Sequence, residues 1–150
     1  MNDMQKLAVE LRTTVQTYSN RLLNISETES TKPLHNDKWC RKEILGHLID
    51  SASNNHQRFI RAQLNTHINL PGYQQEEWVR LNCYTKESWS DLIQLWKSYT
   101  LHLAKVLEGI VDASLNNTIS LDNKPPMTLK FVAEDYIRHL EHHLKQIIEE

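Results

Sequence analysis

The sequence contains few residues that interrupt regular secondary structure, with only three glycines and four prolines among its 150 residues. Glycine and proline are common in the turns between short strands. Their scarcity argues against a chain built from many short strands and favours long helices. A chain of this length can form one domain with a sizeable hydrophobic core. We therefore expect a single domain over residues 1–150.

Other features are scarce or absent as well. Cys40 and Cys83 lack the spacing of a metal or redox motif, and the first residues lack the charged, then apolar, pattern of a secretion signal. No apolar stretch reaches the roughly 18 residues of a membrane span. The net charge is -2, without the basic surface typical of nucleic-acid-binding proteins. These absences predict a reduced, cytoplasmic protein that binds neither membrane nor nucleic acid.

Four segments carry apolar residues at the three- and four-residue steps of an amphipathic helix. The predicted helices cover approximately residues 3–25, 41–65, 86–108 and 129–149. Four helices of this kind predict an all-α fold, an antiparallel four-helix bundle with a long loop between helices 2 and 3. That loop, near residues 66–84, is too long for a simple bundle turn, and loops of such length are often functional or structured.

Residues at the helix ends support these boundaries. Cys40 followed by Glu43 has the spacing of a capping box at the start of the second helix. Thr85 and Thr128 are the predicted N-caps of the third and fourth helices. Between the last two helices, residues 116–126 are compatible with a short extended piece.

A histidine pair in the last helix is the most informative feature of what the sequence does contain. His139 and His143 are four residues apart, so both imidazoles lie on one face of the helix, one turn apart, where they can reach one metal ion. This face also carries the apolar stripe, whereas His142 falls on the polar side. Two imidazoles facing a core need hydrogen bonds or a ligand, which makes the pair a candidate metal site.

A catalytic zinc site typically uses three protein ligands, so the pair requires a third ligand from another part of the chain. His47 lies at the edge of the apolar stripe of the second helix, where it can project toward a facing helix. The remaining candidates lie in polar sequence or off the helix stripes: His35, His56, His67 and His102. Asp50 and Glu43 are each within one turn of His47 and could orient it. Solvent exposure explains Asp50 equally well, and helix capping explains Glu43.

Two stretches of the sequence resemble motifs of the DinB-like superfamily, which includes thiol transferases similar to bacillithiol transferases. Residues 39–50, WCRKEILGHLID, resemble its second-helix motif, and residues 135–147, DYIRHLEHHLKQI, resemble its fourth-helix motif. Residues 71–79 resemble the loop between helices two and three in some members. The sequence departs from the family at Cys40, where a capping Ser or Thr is usual; this changes a cap and leaves the histidines intact.

The resemblance implies a four-helix bundle with a divalent metal at one end. By position, His47, His139 and His143 correspond to the three histidine ligands of the family. Zinc or nickel is the expected ion, although imidazole also suits iron and copper. Such an ion polarises an oxygen ligand or lowers the pKa of a water or thiol ligand, which suits a thiol transferase using a low-molecular-weight thiol, or a hydrolase, acting on a small molecule.

Two alternatives to an enzyme remain open. The chain could be a non-catalytic, stress-associated bundle with a structural or vestigial metal site, or a dimeric interaction module that associates through one face of the bundle, with the histidines only packed together. Homodimers are common among such bundles, and we expect one here. Arg58 and Arg61 could bind an anionic substrate, but an ordinary solvated helix face is the favoured interpretation.

Overall fold

The computed structural model describes residues 1–149 and consists mainly of helices. Four long helices form the body of the protein, and shorter elements fill the connections between them. In chain order the elements are α1 Asp3–Leu23, α2 Glu27–Thr31, α3 Arg41–Leu64, β1 His67–Leu70, α4 Gln75–Asn82, α5 Trp89–Glu108, β2 Thr118–Leu121, β3 Met127–Thr128 and α6 Leu129–Glu149. The predicted all-α four-helix bundle is confirmed, and the small three-stranded sheet is an addition to it.

Each long helix packs against two others, and the apolar stripes of all four meet in one core. Among the largest side chains that the core excludes from solvent are Met4, Leu11, Leu22, Leu48, Phe59, Leu92, Trp96, Leu103 and Ile119. Burial of an aliphatic or aromatic side chain contributes about 1.5–3 kcal/mol, so this core supplies the main stabilisation of the bundle.

The pairs α1–α5 and α3–α6 are antiparallel. Arg41 at the start of α3 donates from Nε to the carbonyl of Ile147 near the end of α6, at 2.9 Å. The helices α3 and α5 instead run in the same direction. Their first turns lie side by side, since Glu27 of α2 accepts from both Lys42 Nζ and the backbone N–H of Trp89. Two neighbouring helices with the same direction require a connection that returns along the bundle, which explains the long segment between them.

The connection from α3 to α5 is structured rather than an open loop. It contains β1 and α4, and β1 pairs in parallel with β2 from the connection between α5 and α6. The extended piece predicted within residues 116–126 is thus confirmed as β2, which pairs on its other side with β3. Asp122 and Asn123 form the turn after β2 with positive φ values of 53° and 60°, a conformation that Asp and Asn tolerate.

The predicted start of the third long helix is wrong by one turn. The N-cap of α5 is Ser88, whose side chain accepts from the backbone N–H of Asp91, and not Thr85. Thr85 lies in a short 3₁₀ turn, Tyr84–Lys86, that follows Cys83 in the left-handed conformation. This turn exists because the Tyr84 ring is buried against α3 at Gly46, a tertiary contact that a local capping pattern does not reveal.

The other predicted helix ends agree with the structure. Cys40 is the N-cap of α3, and the Glu43 carboxylate accepts its backbone N–H at 3.1 Å. Thr128 precedes α6, and its hydroxyl accepts the backbone N–H of Phe131 at 3.1 Å. None of the helices within residues 1–149 is long and apolar enough to cross a membrane.

Candidate metal centre

The three histidines singled out in the sequence meet at the interface between α3 and α6. The Nε2 atom of His139 lies 3.2 Å from Nε2 of His47 and 3.1 Å from Nε2 of His143. One nitrogen from each ring lies within 4.8 Å of the other two. Because α3 and α6 are antiparallel, a residue near the beginning of α3 can face two residues toward the end of α6. The structure therefore brings together all three predicted site residues.

The α3 residues around His47 are closely packed. A Cβ atom at Gly46 would overlap the ring of Tyr84, so only glycine permits this ring to lie against α3. His47 itself is 1% exposed. Its ring lies 5.1 Å from that of Trp39, which packs on it at a tilt of 38°. Trp39 is thus a wall of the histidine cluster, although nothing in its local sequence pattern indicated this.

The convergence of three Nε2 atoms fits a cation better than a proton. A hydrogen on Nε2 of His139 can be donated to only one neighbour, so protons alone cannot satisfy both short contacts of this atom. In a tetrahedral zinc site with Zn–N bonds of 2.0–2.1 Å, ligand nitrogens are about 3.3 Å apart. The two short separations are close to this value. The donor set of the cluster is therefore suited to a divalent ion.

The electrostatics of the cluster keep the imidazoles neutral at pH 7. Burial, followed by the proximity of His143 and His139, lowers the pKa of His47 to about 3. Burial and the nearby His143 lower the pKa of His139 to about 4. Burial also lowers the pKa of His143. Neutral imidazole, with a free lone pair, is the form that binds metal.

One histidine of the cluster has a supporting hydrogen bond. Nδ1 of His143 donates to Oε1 of Gln146 at 2.7 Å, which leaves Nε2 unprotonated and directed at the cluster. Nδ1 of His47 is buried without a partner among the described residues. His142 is exposed, as predicted, and approaches the site only through a 3.5 Å contact with Gln146.

Neither carboxylate proposed as a partner of His47 hydrogen-bonds to it. Glu43 caps α3, and Asp50 accepts from the Tyr84 hydroxyl at 2.6 Å and from Asn82 Nδ2 at 3.0 Å. The alternative interpretation of Asp50, that it is solvent-exposed, is also wrong, because the fold covers it with the segment that follows α4. Burial raises the pKa of Asp50 to about 6 despite the hydrogen bond from Tyr84.

Two cavities open beside the histidines. The first, here called the α3–α6 groove, has a volume of about 490 Å³ and includes His139 in its lining. The second, here called the Trp39 cavity, has a volume of about 550 Å³ and includes Trp39 and His143. Both volumes are typical of small-molecule sites. The histidine cluster is therefore accessible from two separate spaces.

The remaining histidines are not part of the cluster. His56 lies against Tyr99 and His102 on the α3–α5 side, and His67 lies 2.7 Å from the Thr118 hydroxyl in the sheet. His35 belongs to the lining of the Trp39 cavity.

The fold and the cluster together define a class of protein: a helical bundle with three convergent histidines suited to a divalent ion. Residues 10–147 match the DinB superfamily, so the chain belongs to that superfamily. The fold is similar to that of YfiT from Bacillus subtilis, described as a probable metal-dependent hydrolase with an unusual four-helix bundle topology. The likeness has a TM-score of 0.87 at 18% identity and covers 99% of this chain and 87% of that chain. Comparison with curated proteins finds no match.

Proposed function

We propose that this protein is a metal-dependent enzyme that binds one divalent ion through His47, His139 and His143 and acts on a small molecule. The observation that carries the proposal is the convergence of three Nε2 atoms beside two cavities. Three protein ligands leave a further coordination position for a substrate or water, which is the pattern of catalytic rather than structural zinc sites. Zinc or nickel is the proposed ion.

When bound, the ion supplies Lewis acidity that polarises an oxygen ligand or lowers the pKa of water or thiol. The protein contributes three neutral imidazoles, since burial disfavours their protonation. Gln146 fixes the tautomer of His143, and the Trp39 ring restricts the access of solvent to His47. The two cavities admit reactants to the cluster.

Hydrolysis is the first candidate reaction. The structural likeness to YfiT supports it, and a single cavity beside the cluster would be sufficient for it. Transfer of a low-molecular-weight thiol is the second candidate. The observation that favours it is the presence of two separate cavities, one at His139 and one at His143, because a transfer reaction needs space for two reactants.

The first experiment is elemental analysis of the untagged protein beside a His47→Ala, His139→Ala double variant. One divalent ion per chain in the parent, and little in the double variant, is the expected result. His142→Ala is the matched control, since this histidine lies on the exposed side of the same helix. Equal metal content in the parent and the double variant, or none in either after reloading, would contradict the proposal.

Metal-loaded protein is then offered ester and amide substrates with water alone, and electrophiles together with a thiol. Turnover without thiol supports hydrolysis, and turnover that requires thiol supports transfer. Metal binding that stabilises the fold without turnover in either assay would favour a structural site.

A further inference from the structure

The α3–α6 groove is an elongated space that begins at the histidine cluster and follows two helices away from it. Its walls are one face of α3, with Ser51, Asn55 and Arg58 at helical spacing, and one face of α6 that ends at His139. Arg58 lies about three helical turns, or about 16 Å along the axis, beyond His47. A molecule lying in the groove can therefore approach His139 at one end and Arg58 at the other.

The sequence favoured a solvated helix face for Arg58, and the structure shows that this interpretation is wrong. The side chain of Arg58 is half-buried, whereas Arg61, one turn further on, is exposed as expected. The Arg58 guanidinium carbon is 6.0 Å from the centre of the Tyr73 ring, which lies in the loop that covers the groove. The helix periodicity places Arg58 at the edge of the apolar stripe, and only the folded loop shows that this edge is covered.

The guanidinium of Arg58 has little compensation within the protein. Among the residues that the structure describes, its one hydrogen bond is a 3.4 Å contact from Nη1 to Oδ1 of Asn55. None of the described carboxylates lies within ion-pairing distance of the guanidinium. An arginine offers five N–H donors in a planar fork. Burial opposes its charge and lowers its pKa from the ordinary value. A partly buried cation with most donors unused is a binding element for an anion.

The acidic groups of the groove already have partners. Asp122 accepts the backbone N–H of Gly72 through Oδ1 at 3.1 Å, which joins the turn after β2 to the loop after β1. Asp135 is paired with Arg138 at 3.3 Å on the exposed side of α6. Lys124 adds a second positive charge to the lining. Neither carboxylate forms an ion pair with Arg58, although Asp135 lies close enough to attract its charge, so the Arg58 donors remain available to a ligand.

We propose that Arg58 binds a carboxylate or phosphate group of an elongated small-molecule substrate whose reacting end lies at the histidine cluster. The identity of the reacting end rests on the proposed function, whereas binding of the anion depends on the groove alone. Arg58 is thus a determinant of substrate specificity. The planar fork of its donors matches the two oxygens of either anion.

The first test is independent of metal. Chelator-treated protein is titrated with glutarate and with inorganic phosphate while the Arg58 Nε–H resonance is followed by NMR. A saturable shift is expected in the parent and in Arg61→Gln, and the stronger of the two ligands identifies the anion. In Arg58→Gln the saturable shifts of neighbouring groove amides, such as that of Gly72, should be lost. Absence of a shift in the parent, or unchanged binding in Arg58→Gln, would overturn the proposal.

The second test connects Arg58 to the metal centre. Metal-loaded protein is titrated calorimetrically with alkyl hydroxamates of increasing length that end in a carboxylate or in a neutral amide. At the length that spans the groove, the carboxylate should bind at least tenfold more tightly. Arg58→Gln should abolish this preference, and Arg61→Gln should retain it. Circular dichroism and urea unfolding establish that both variants are folded.

The outcomes separate the two proposals. Hydroxamates that bind with equal affinity whichever group they end in would overturn the role of Arg58 and leave the metal centre intact. Failure of the protein to bind metal, or of every hydroxamate to bind the loaded protein, would contradict the proposed function. In that case the metal-independent titration still decides whether Arg58 binds an anion.

Discussion

Oε1 of Gln146 lies 2.7 Å from Nδ1 of His143, so an exposed side chain outside the cluster determines which nitrogen of a candidate ligand faces inward. Loss of such a hydrogen bond typically lowers metal affinity by about 10- to 100-fold. We expect Gln146→Ala to weaken divalent-metal binding toward the lower end of that range, since Gln146 is exposed. Competition with a chromophoric chelator measures the affinity.

Gln146→Glu is the matched variant for this prediction. It keeps an oxygen acceptor for His143, and it should therefore preserve the metal affinity of the parent. Equal affinity of Gln146→Ala and the parent would show that the hydrogen bond does not orient the ligand.

His143 and His142 are adjacent in the sequence but differ in their relation to the cluster. His143→Ala should abolish or sharply weaken metal binding while helix content stays nearly unchanged, because the side chain is only partly buried. His142→Ala should leave metal binding almost unaffected. Calorimetric titration with zinc and far-ultraviolet circular dichroism measure the two properties. Strong loss of metal binding in His142→Ala would contradict the assignment of His142 to the solvent-facing side of α6.

The lowered pKa of His47 makes the metal-free protein sensitive to acid. Its pKa is about 3 in the folded state and about 6.5 in an unfolded chain, so the unfolded chain binds the proton more tightly. The free energy of unfolding therefore decreases as the pH falls below about 6.5. Between pH 7 and pH 5 we expect His47 alone to account for about 2 kcal/mol.

Urea unfolding of chelator-treated protein at both pH values measures this loss. His47→Gln, which removes the titrating group, should lose correspondingly less stability over the same interval. Parallel losses in the parent and the variant would show that His47 titrates normally.

The buried carboxyl of Asp50 gives the opposite pH dependence. Its folded-state pKa of about 6 exceeds the unfolded value of about 3.9, so the stability it contributes is present below pH 4 and is lost as the pH rises through 6. Asp50→Asn removes the buried charge at pH 7 and keeps an oxygen acceptor for Tyr84. We expect it to raise the free energy of unfolding by about 1–3 kcal/mol at pH 7.

At pH 4.5 most of this gain should disappear, because the Asp50 carboxyl is then neutral in the folded protein. Urea unfolding at both pH values provides the comparison, with the exposed Asp135→Asn as control. A gain of the same size at both pH values would mean that the carboxyl is not ionised at pH 7.

Local periodicity was sufficient to predict the long helices and the orientation of the histidines in the last one. His139 faces the core and His142 faces solvent because both orientations follow from about 100° per residue along a single helix. His47 required more than periodicity, since its partner helix lies far away in the sequence. The resemblance to a known family supplied that long-range relationship.

The contacts that support the site could not be predicted in this way. Trp39 and Arg58 look like ordinary loop and surface residues in their local sequence, and Asp50 looks like a solvated helix residue. Arg58 and Asp50 are each covered by a segment from elsewhere in the chain, since Tyr73 lies against Arg58 and Tyr84 covers Asp50. Trp39 packs on His47 of the helix that follows it.

Helical segments, apolar helix faces and the inward direction of the histidines follow from local residue order, because these properties depend on residues within a few turns of one another. The folded chain adds the common direction of α3 and α5, the small sheet over the α3–α6 groove and the contact between Arg58 and Tyr73. These features depend on packing between segments far apart in the chain, and helical periodicity carries no information about such contacts.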